Sequence, residues 1–205
     1  MLRGRRFFGA SLFFAVVLSA AAPSAHAFDL SQLMKLLAQQ RAGEASFTEQ
    51  RFVRGLDAPL EASGTLSFAA PDRFTRQTLK PRPESMTVEG NQLTLARGGR
   101  TRSLQLDAMP ELLGLVEAVR GTLTGNAPLL ARHFRSTLAG QERAWTLELV
   151  PLAPTTLAAV SKLRIAGEHG ELRRIEIELS DGDSSVMTIG ALRPSNAASA
   201  PRPAS

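Results

Sequence analysis

The chain has 205 residues, of which 43% are hydrophobic, a formal net charge of +5 and no cysteine. Without cysteines there is no disulfide framework and no lipoprotein-type signal, so an exported form must be held together by its core. The five Arg residues Arg3, Arg5, Arg6, Arg193 and Arg202 account for the whole excess; the body between them is neutral and lacks the basic patch that a nucleic-acid binder needs.

Residues 1–27 have the pattern of an export signal. Arg3, Arg5 and Arg6 form a positive n-region, Phe7 to Ala22 an apolar stretch, and Ala25-His26-Ala27 a small-x-small cleavage site. The apolar stretch is short for a membrane span, which needs about 20 residues. The expected mature chain starts at Phe28, its folded domain covers residues 28–192, and residues 193–205 form a Pro/Ala/Ser tail too poor in apolar residues to order itself. Residues 28–192 suffice for one domain with a sizeable core.

"FDLSQLMKLLAQQRAGE" opens that domain. Asp29 with Gln32 three residues on is a capping-box signal, and Leu30, Leu33, Met34 and Leu37 follow the i, i+3, i+4, i+7 helical pattern, with Gly43 expected to end the helix. From Ala45 to Asp107 the period drops to two. Ala62, Gly64, Leu66 and Phe68 share one parity, Pro71-Asp72 marks a turn, Phe74 to Lys80 forms the next strand, and Gly90-Asn91 and Gly98-Gly99 mark hairpins between short strands.

Helical periodicity returns in "AMPELLGLVEAVRGTLTG", where Leu112, Val116, Val119 and Leu123 form a stripe, and in "NAPLLARHFR", where Asn126 is the expected cap. These are two helices or one broken helix. Strands follow around Trp145 to Val150, Lys162 to Ala166, Arg174 to Leu179, and Asp183 to Leu192, with Glu168-His169-Gly170 and Asp181-Gly182 as turns. Roughly nine to eleven strands are enough to curl an open sheet strongly, and strands with helices grouped on one face make an α+β class.

Catalytic and metal chemistry find no support in the residues. His133 and His169 are the only histidines after residue 27, and each reads as a surface residue. A zinc site needs three or four ligands, and no local cluster offers them. No G-x-S-x-G elbow or phosphate-binding glycine loop occurs, and "DGDSS" (residues 181–185) reads as a turn. No catalytic residue, metal or cofactor is expected. What remains is an apolar inventory that fills a core or lines a cavity where helices close over a curved sheet; periodicity alone leaves both open.

The pieces "ASFTEQRF" and "GTLSFAAPDRFTRQTLKPRPESMTVEGNQLTL", followed by "WTLELVP" and "LRIAGEHGELRRIEIELSDGDSS", resemble the LolA family of outer-membrane lipoprotein carriers. The matching positions are Ala45-Ser46-Phe47-Thr48, then Gly64, Leu66 and Phe68, then Pro71 and Phe74, then Pro81 to Val88 and Gly90 to Leu93. The order of elements agrees over nearly all of residues 28–192.

The resemblance implies an incomplete, open antiparallel β-barrel with an α-helical lid. It implies a monomeric, non-enzymatic periplasmic protein that shields the acyl chains of a lipoprotein between an inner-membrane donor and an outer-membrane acceptor, with no nucleic acid and no membrane insertion after cleavage. The residues it nominates for acyl contact are Phe47, Leu66, Phe68, Phe74, Met86, Val88, Leu93, Leu95, Leu112, Leu115, Val116 and Val119. The family's lid-tethering Arg before the Pro is replaced here by Ala70, so Arg73 and Arg76 are the candidates for its role. The chain also has few aromatics and no Tyr, unlike typical carriers. LolA-related proteins that accompany acyltransferase and polyene-pigment genes suggest a second cargo class, a non-protein lipid, glycolipid or aryl-polyene-type lipid. A structural or interaction module is the further alternative.

Overall fold

Asp29 and Gln32 start the first helix as the sequence anticipates. In the computed structural model, which describes residues 28–194, the Asp29 carboxylate accepts from the Gln32 N–H at 2.8 Å and the Gln32 side chain accepts from the Asp29 N–H at 3.1 Å. Both otherwise orphaned donors at the helix start are satisfied. Helix α1 (Leu30–Leu37) buries Leu33, Met34 and Leu37. It ends well before Gly43, which instead lies in the first strand, β1 (Ala42–Phe52). A Cβ at Gly43 would fall 2.5 Å from Leu192 Cδ1, so the glycine serves close packing against the last strand region. The expected export signal and the chain beyond residue 194 lie outside the described residues.

Strands β2 (Leu60–Ala69), β3 (Arg73–Lys80), β4 (Glu84–Glu89), β5 (Gln92–Arg97) and β6 (Arg100–Gln105) form an antiparallel meander. A short 3-10 turn, Leu106–Ala108, leads into α2 (Pro110–Leu123) and α3 (Ala127–His133). Pro110 takes the first helical position of α2, where no N–H is needed, and the Asn126 side chain caps α3 by accepting from the Leu129 N–H at 2.9 Å. The chain returns through β7 (Phe134–Gln141), β8 (Ala144–Pro151), α4 (Pro154–Ala159), β9 (Val160–Glu168), β10 (Glu171–Leu179) and β11 (Ser184–Ile189).

All eleven strands join one antiparallel sheet in the order β6-β5-β4-β3-β2-β1-β11-β10-β9-β8-β7. The two meanders meet at β1, which pairs with β2 on one side and β11 on the other. The edges, β6 and β7, do not pair, so the barrel is open and the fold is α+β. The sheet runs slightly past Leu192, because Arg193 exchanges both backbone hydrogen bonds with Glu44, at 2.8 and 2.9 Å.

The core is in two parts. The larger packs α1, α3 and β7–β11 with the start of β1 around Trp145, Phe47 and Phe134. Trp145 lies opposite Gly167, where a Cβ would sit 2.5 Å from the indole, and its Nε1 donates to the His169 carbonyl at 2.9 Å. The smaller part joins Val88, Leu93 and Leu106 to Leu112, Leu113 and Val116 of α2. Seating α2 on β4–β6 in this way fixes one end of the helix over the sheet.

Candidate functional site

The inward parity of the strands continues past the core into a cavity of about 550 Å³, bounded by the sheet and α2. Strand β2 gives Leu66 and Phe68, β3 gives Phe74, β4 gives Met86 and Val88, β10 gives Ile175, Ile177 and Leu179, and β11 gives Met187. From the other side, α2 contributes Leu112, Leu115, Val116, Val119 and Leu123.

These α2 residues are only half-buried, whereas Gly114, Glu117, Ala118, Gly121 and Thr122 on the other side of the helix are buried. Small residues on that side let neighbouring helices approach: a Cβ at Gly114 would meet Thr156 Cγ2 of α4 at 2.6 Å, and one at Gly121 would meet Leu130 Cδ2 of α3 at 2.7 Å. Beyond the contacts of Leu112, Leu113 and Val116 with the smaller core, the helix is therefore held by its small-residue face, and its large apolar side chains turn toward the cavity. A helix packed only for stability would bury the large side chains first.

Nine of the twelve nominated apolar residues line this cavity: Leu66, Phe68, Phe74, Met86, Val88, Leu112, Leu115, Val116 and Val119. The other three lie elsewhere. Phe47 is in the larger core, and Leu93 is buried in the smaller core, with Leu95 packed against it. Parity assigns a residue to a face of the sheet, but depth along the strand decides whether that face is core or cavity. The wall residues Ile175, Ile177, Leu179 and Met187 share the same alternation signal in β10 and β11.

Charged groups also face the cavity. On β1 the row Ala45, Phe47, Glu49, Arg51 turns from apolar to charged along the strand, its first three members buried and Arg51 exposed at the cavity mouth. Glu49 is 7% exposed and accepts from the Arg76 guanidinium of β3. The guanidinium carbon of Arg76 lies 4.9 Å from the centroid of the Phe47 ring, a cation–π arrangement. Its Nε is buried without a hydrogen-bond partner. Desolvating each ion of such a pair costs several kcal/mol, which only good geometry and further hydrogen bonds offset.

Arg73, the other expected tether, lies 3.6 Å from Glu89 in an exposed ion pair on the neighbouring strand. Neither of these two bonds to α2. The helix is tied to the sheet by its own Arg120, which donates to the Gly90 carbonyl in the β4–β5 turn at 2.7 Å and to Glu117 at 2.6 Å. The Ala70 position has a backbone role, its N–H donating to the Arg41 carbonyl at 2.8 Å. No sequence signal singles out Arg120, which looks like an ordinary basic residue in the last turn of a helix.

The opposite face of β8–β10 is a lattice of ion pairs. Arg164 lies 2.9 Å from Glu178, 3.3 Å from Glu148 and 3.5 Å from Glu176. Chiefly the Glu178 carboxylate holds the Arg164 pKa above its ordinary value, while the Arg174 hydrogen bond, with further help from Arg164, holds Glu176 below the usual carboxylate range. This is a solvated face on the outside of the sheet. Among the described residues no cluster of three or more His, Cys, Asp or Glu is placed to hold a metal, and no helix is long and apolar enough to cross a membrane. The cavity lining includes Ser184 and Ser185 but neither His133 nor His169.

Residues 20–205 match the family described as outer membrane lipoprotein carrier protein LolA-like. The chain belongs to this LolA-like family. No curated protein sequence matches it. Among solved structures, a LolA superfamily protein of Nitrosomonas europaea is similar at 12% identity and a TM-score of 0.48, covering 82% of this chain and 94% of that one. The lipoprotein LppX of Mycobacterium tuberculosis is similar at 12% identity and a TM-score of 0.42, covering 81% and 96%. MucB of Pseudomonas aeruginosa, in a complex with MucA, is similar at 14% identity and a TM-score of 0.36, covering 80% of this chain and 56% of that one. The LolA-like chain thus combines an open barrel with an apolar cavity whose wall also carries charged residues.

Proposed function

We propose that this protein is a non-enzymatic periplasmic carrier that takes the acyl part of a lipid cargo into the cavity between the sheet and α2 and moves it from the inner to the outer membrane. The observation that carries the reading is the half-buried stripe Leu112, Leu115, Val116, Val119 and Leu123 facing a cavity of about 550 Å³. Each buried CH₂ is worth about 0.8 kcal/mol, so an acyl chain crosses an aqueous compartment poorly unless it is enclosed. Aliphatic walls make non-directional contacts, which suits loading and release. On this reading residues 1–27 are an export signal, residues 28–192 are the carrier domain, and a membrane donor and acceptor are the partners.

The family's description supports a lipoprotein as cargo. A non-protein lipid is the second reading, favoured by the charged groups on the cavity wall. Displacement of a fluorescent acyl probe tests the reading common to both. The purified mature chain is expected to bind the probe, and Val119→Asp, which puts a charge among the wall residues, is expected to reduce binding at least tenfold while leaving the thermal transition cooperative. Equal binding by the variant would mean that the probe sits elsewhere.

A further inference from the structure

In an antiparallel meander every second connection lies at the same end of the sheet. The β1–β2, β3–β4, β5–β6 and β10–β11 turns therefore share one end with the segment from Leu152 through α4 that joins β8 to β9. The turns at Pro71-Asp72, Gly90-Asn91, Glu142-Arg143 and His169-Gly170 lie at the opposite end.

The large hydrophobic residues left exposed among the described residues are Phe52, Leu56, Leu60, Leu79, Leu152 and Leu157, each between 42% and 53% exposed. All of them belong to the first end. Exposed leucines scattered singly are normal on a protein surface; a set gathered at one end is the pattern of an interaction surface. The turns that carry them are joined to one another. The Arg54 N–H donates to Asp183 at 2.9 Å, which ties β1–β2 to β10–β11, and the Ser180 Oγ donates to the Leu157 carbonyl at 2.7 Å, which ties β10–β11 to α4. Leu60, though 53% exposed, lines the cavity together with Val53 and Leu179 of the same end. The apolar tips thus stand at the cavity mouth.

Beside them the β3–β4 and β5–β6 turns carry Lys80, Arg82, Arg97 and Arg100, all exposed, with Glu84 as their one acid. The register sets Arg97 opposite both Glu84 and Arg100, so the two turns form one basic strip. The other acids of the turns at this end, Asp57, Asp181 and Asp183, lie away from the strip, on β1–β2 and β10–β11.

Apolar tips next to a basic strip fit the surface of a bilayer that contains anionic lipid. The tips stand on three separate segments and form no groove, and a protein partner would need a shape matched to each. A fluid interface takes apolar side chains below its headgroups at any spacing, while Lys and Arg stay level with the phosphates. Resting on the carrier reading for its purpose and on this surface for its place, we infer that this end of the sheet docks reversibly on an anionic phospholipid bilayer, with the cavity mouth against the membrane. Cargo then passes between membrane and cavity without crossing water.

The test uses the mature chain with vesicles of phosphatidylcholine alone and of phosphatidylcholine mixed equally with phosphatidylglycerol. The wild type has no cysteine, so Leu56→Cys and Arg143→Cys each accept one polarity-sensitive dye, at the docking end and at the opposite end. Flotation is expected to show binding to the anionic vesicles and little to the neutral ones, and the dye at position 56, unlike that at 143, is expected to report an apolar environment on binding. Each cation near an anionic surface is worth about fivefold in affinity, so Arg97→Gln with Arg100→Gln is expected to weaken vesicle binding about 25-fold. Acyl-probe binding in solution should stay unchanged in that variant, which also shows that it is folded. Equal binding to neutral vesicles, equal response of the two dyes, or undiminished binding by the double variant overturns the inference. Failure to bind any vesicle also overturns it and assigns the apolar end to a protein partner; an acyl probe still bound in solution then leaves the carrier reading standing. Anionic-vesicle binding by a protein that takes up no acyl probe supports the docking surface and sinks the carrier reading.

Discussion

Removing the tie between α2 and the sheet should open the cavity without unfolding the protein. Arg120→Met alone would leave Glu117, which is 7% exposed, as an unpaired buried carboxylate and would confound the result. The informative variant is therefore Arg120→Met with Glu117→Gln, which removes the ion pair as a unit and deletes the 2.7 Å hydrogen bond from Arg120 to the Gly90 carbonyl. A hydrogen bond from a charged donor contributes about 1.5–3 kcal/mol, so the open population of α2 should rise roughly 10- to 100-fold. The rest of the helix stays anchored, by Leu112, Leu113 and Val116 on the smaller core and by Gly114 against Thr156. Native-state hydrogen exchange reads the change directly. Amides of α2 should exchange faster by that factor, while amides of β8 and β9 around the fully buried Leu147, Leu149, Leu163 and Ile165 should keep their rates. Unchanged exchange in α2, or acceleration of α2 and β8–β9 together, would refute the reasoning: the first because Arg120 then holds nothing, the second because it then serves global stability and not a local closure.

The remaining predictions concern packing and pH. Gly114→Val forces a Cβ to within 2.6 Å of the Thr156 methyl and should destabilise the fold by about 1–3 kcal/mol, with partial recovery in Gly114→Val/Thr156→Ala; urea midpoints of the three proteins decide it, and an undiminished midpoint in the single variant would contradict the packing. The folded pKa of Glu176 lies below its ordinary value, chiefly through the Arg174 hydrogen bond, so its contribution is complete above the ordinary carboxylate range and is lost as pH falls through the lowered folded value. Glu176→Gln should therefore cost stability at pH 7, by under about 1 kcal/mol because the group is partly solvated, and progressively less as pH falls below the ordinary carboxylate range; a cost that does not shrink in acid would assign the effect to packing instead of charge.

The fold was legible where local physics sets it. Alternation in "GTLSF" and "QLTLAR" gave strands with the observed inward faces, and the Asp29 and Asn126 caps gave helix starts. Two elements were hidden. Strand β7 begins at Phe134, directly after His133, with no turn residue between helix and strand, so "LLARHFR" reads as one helix. Helix α4 spans only Pro154–Ala159, too short for periodicity to register, although Pro154 at its first position is a helix-start signal.

At the site, face was readable and depth was not. Phe47 and Glu49 share one inward row of β1, yet the first fills the core and the second meets Arg76 across β2 at the cavity wall. The same parity count would have placed Glu49 inward, an unexpected position for charge on an otherwise apolar wall. The tether expected on β3 involves distance across the sheet, which sequence does not encode; α2 supplies it from its own Arg120.

Native mass spectrometry of the protein purified from the periplasm, where the proposed function puts it, tests the central claim most directly. The account predicts a co-purifying lipid, bound one to one in the wild type and absent from Val119→Asp. A wild-type protein that carries no lipid and takes up no acyl probe, or a lipid retained equally by Val119→Asp, would contradict it.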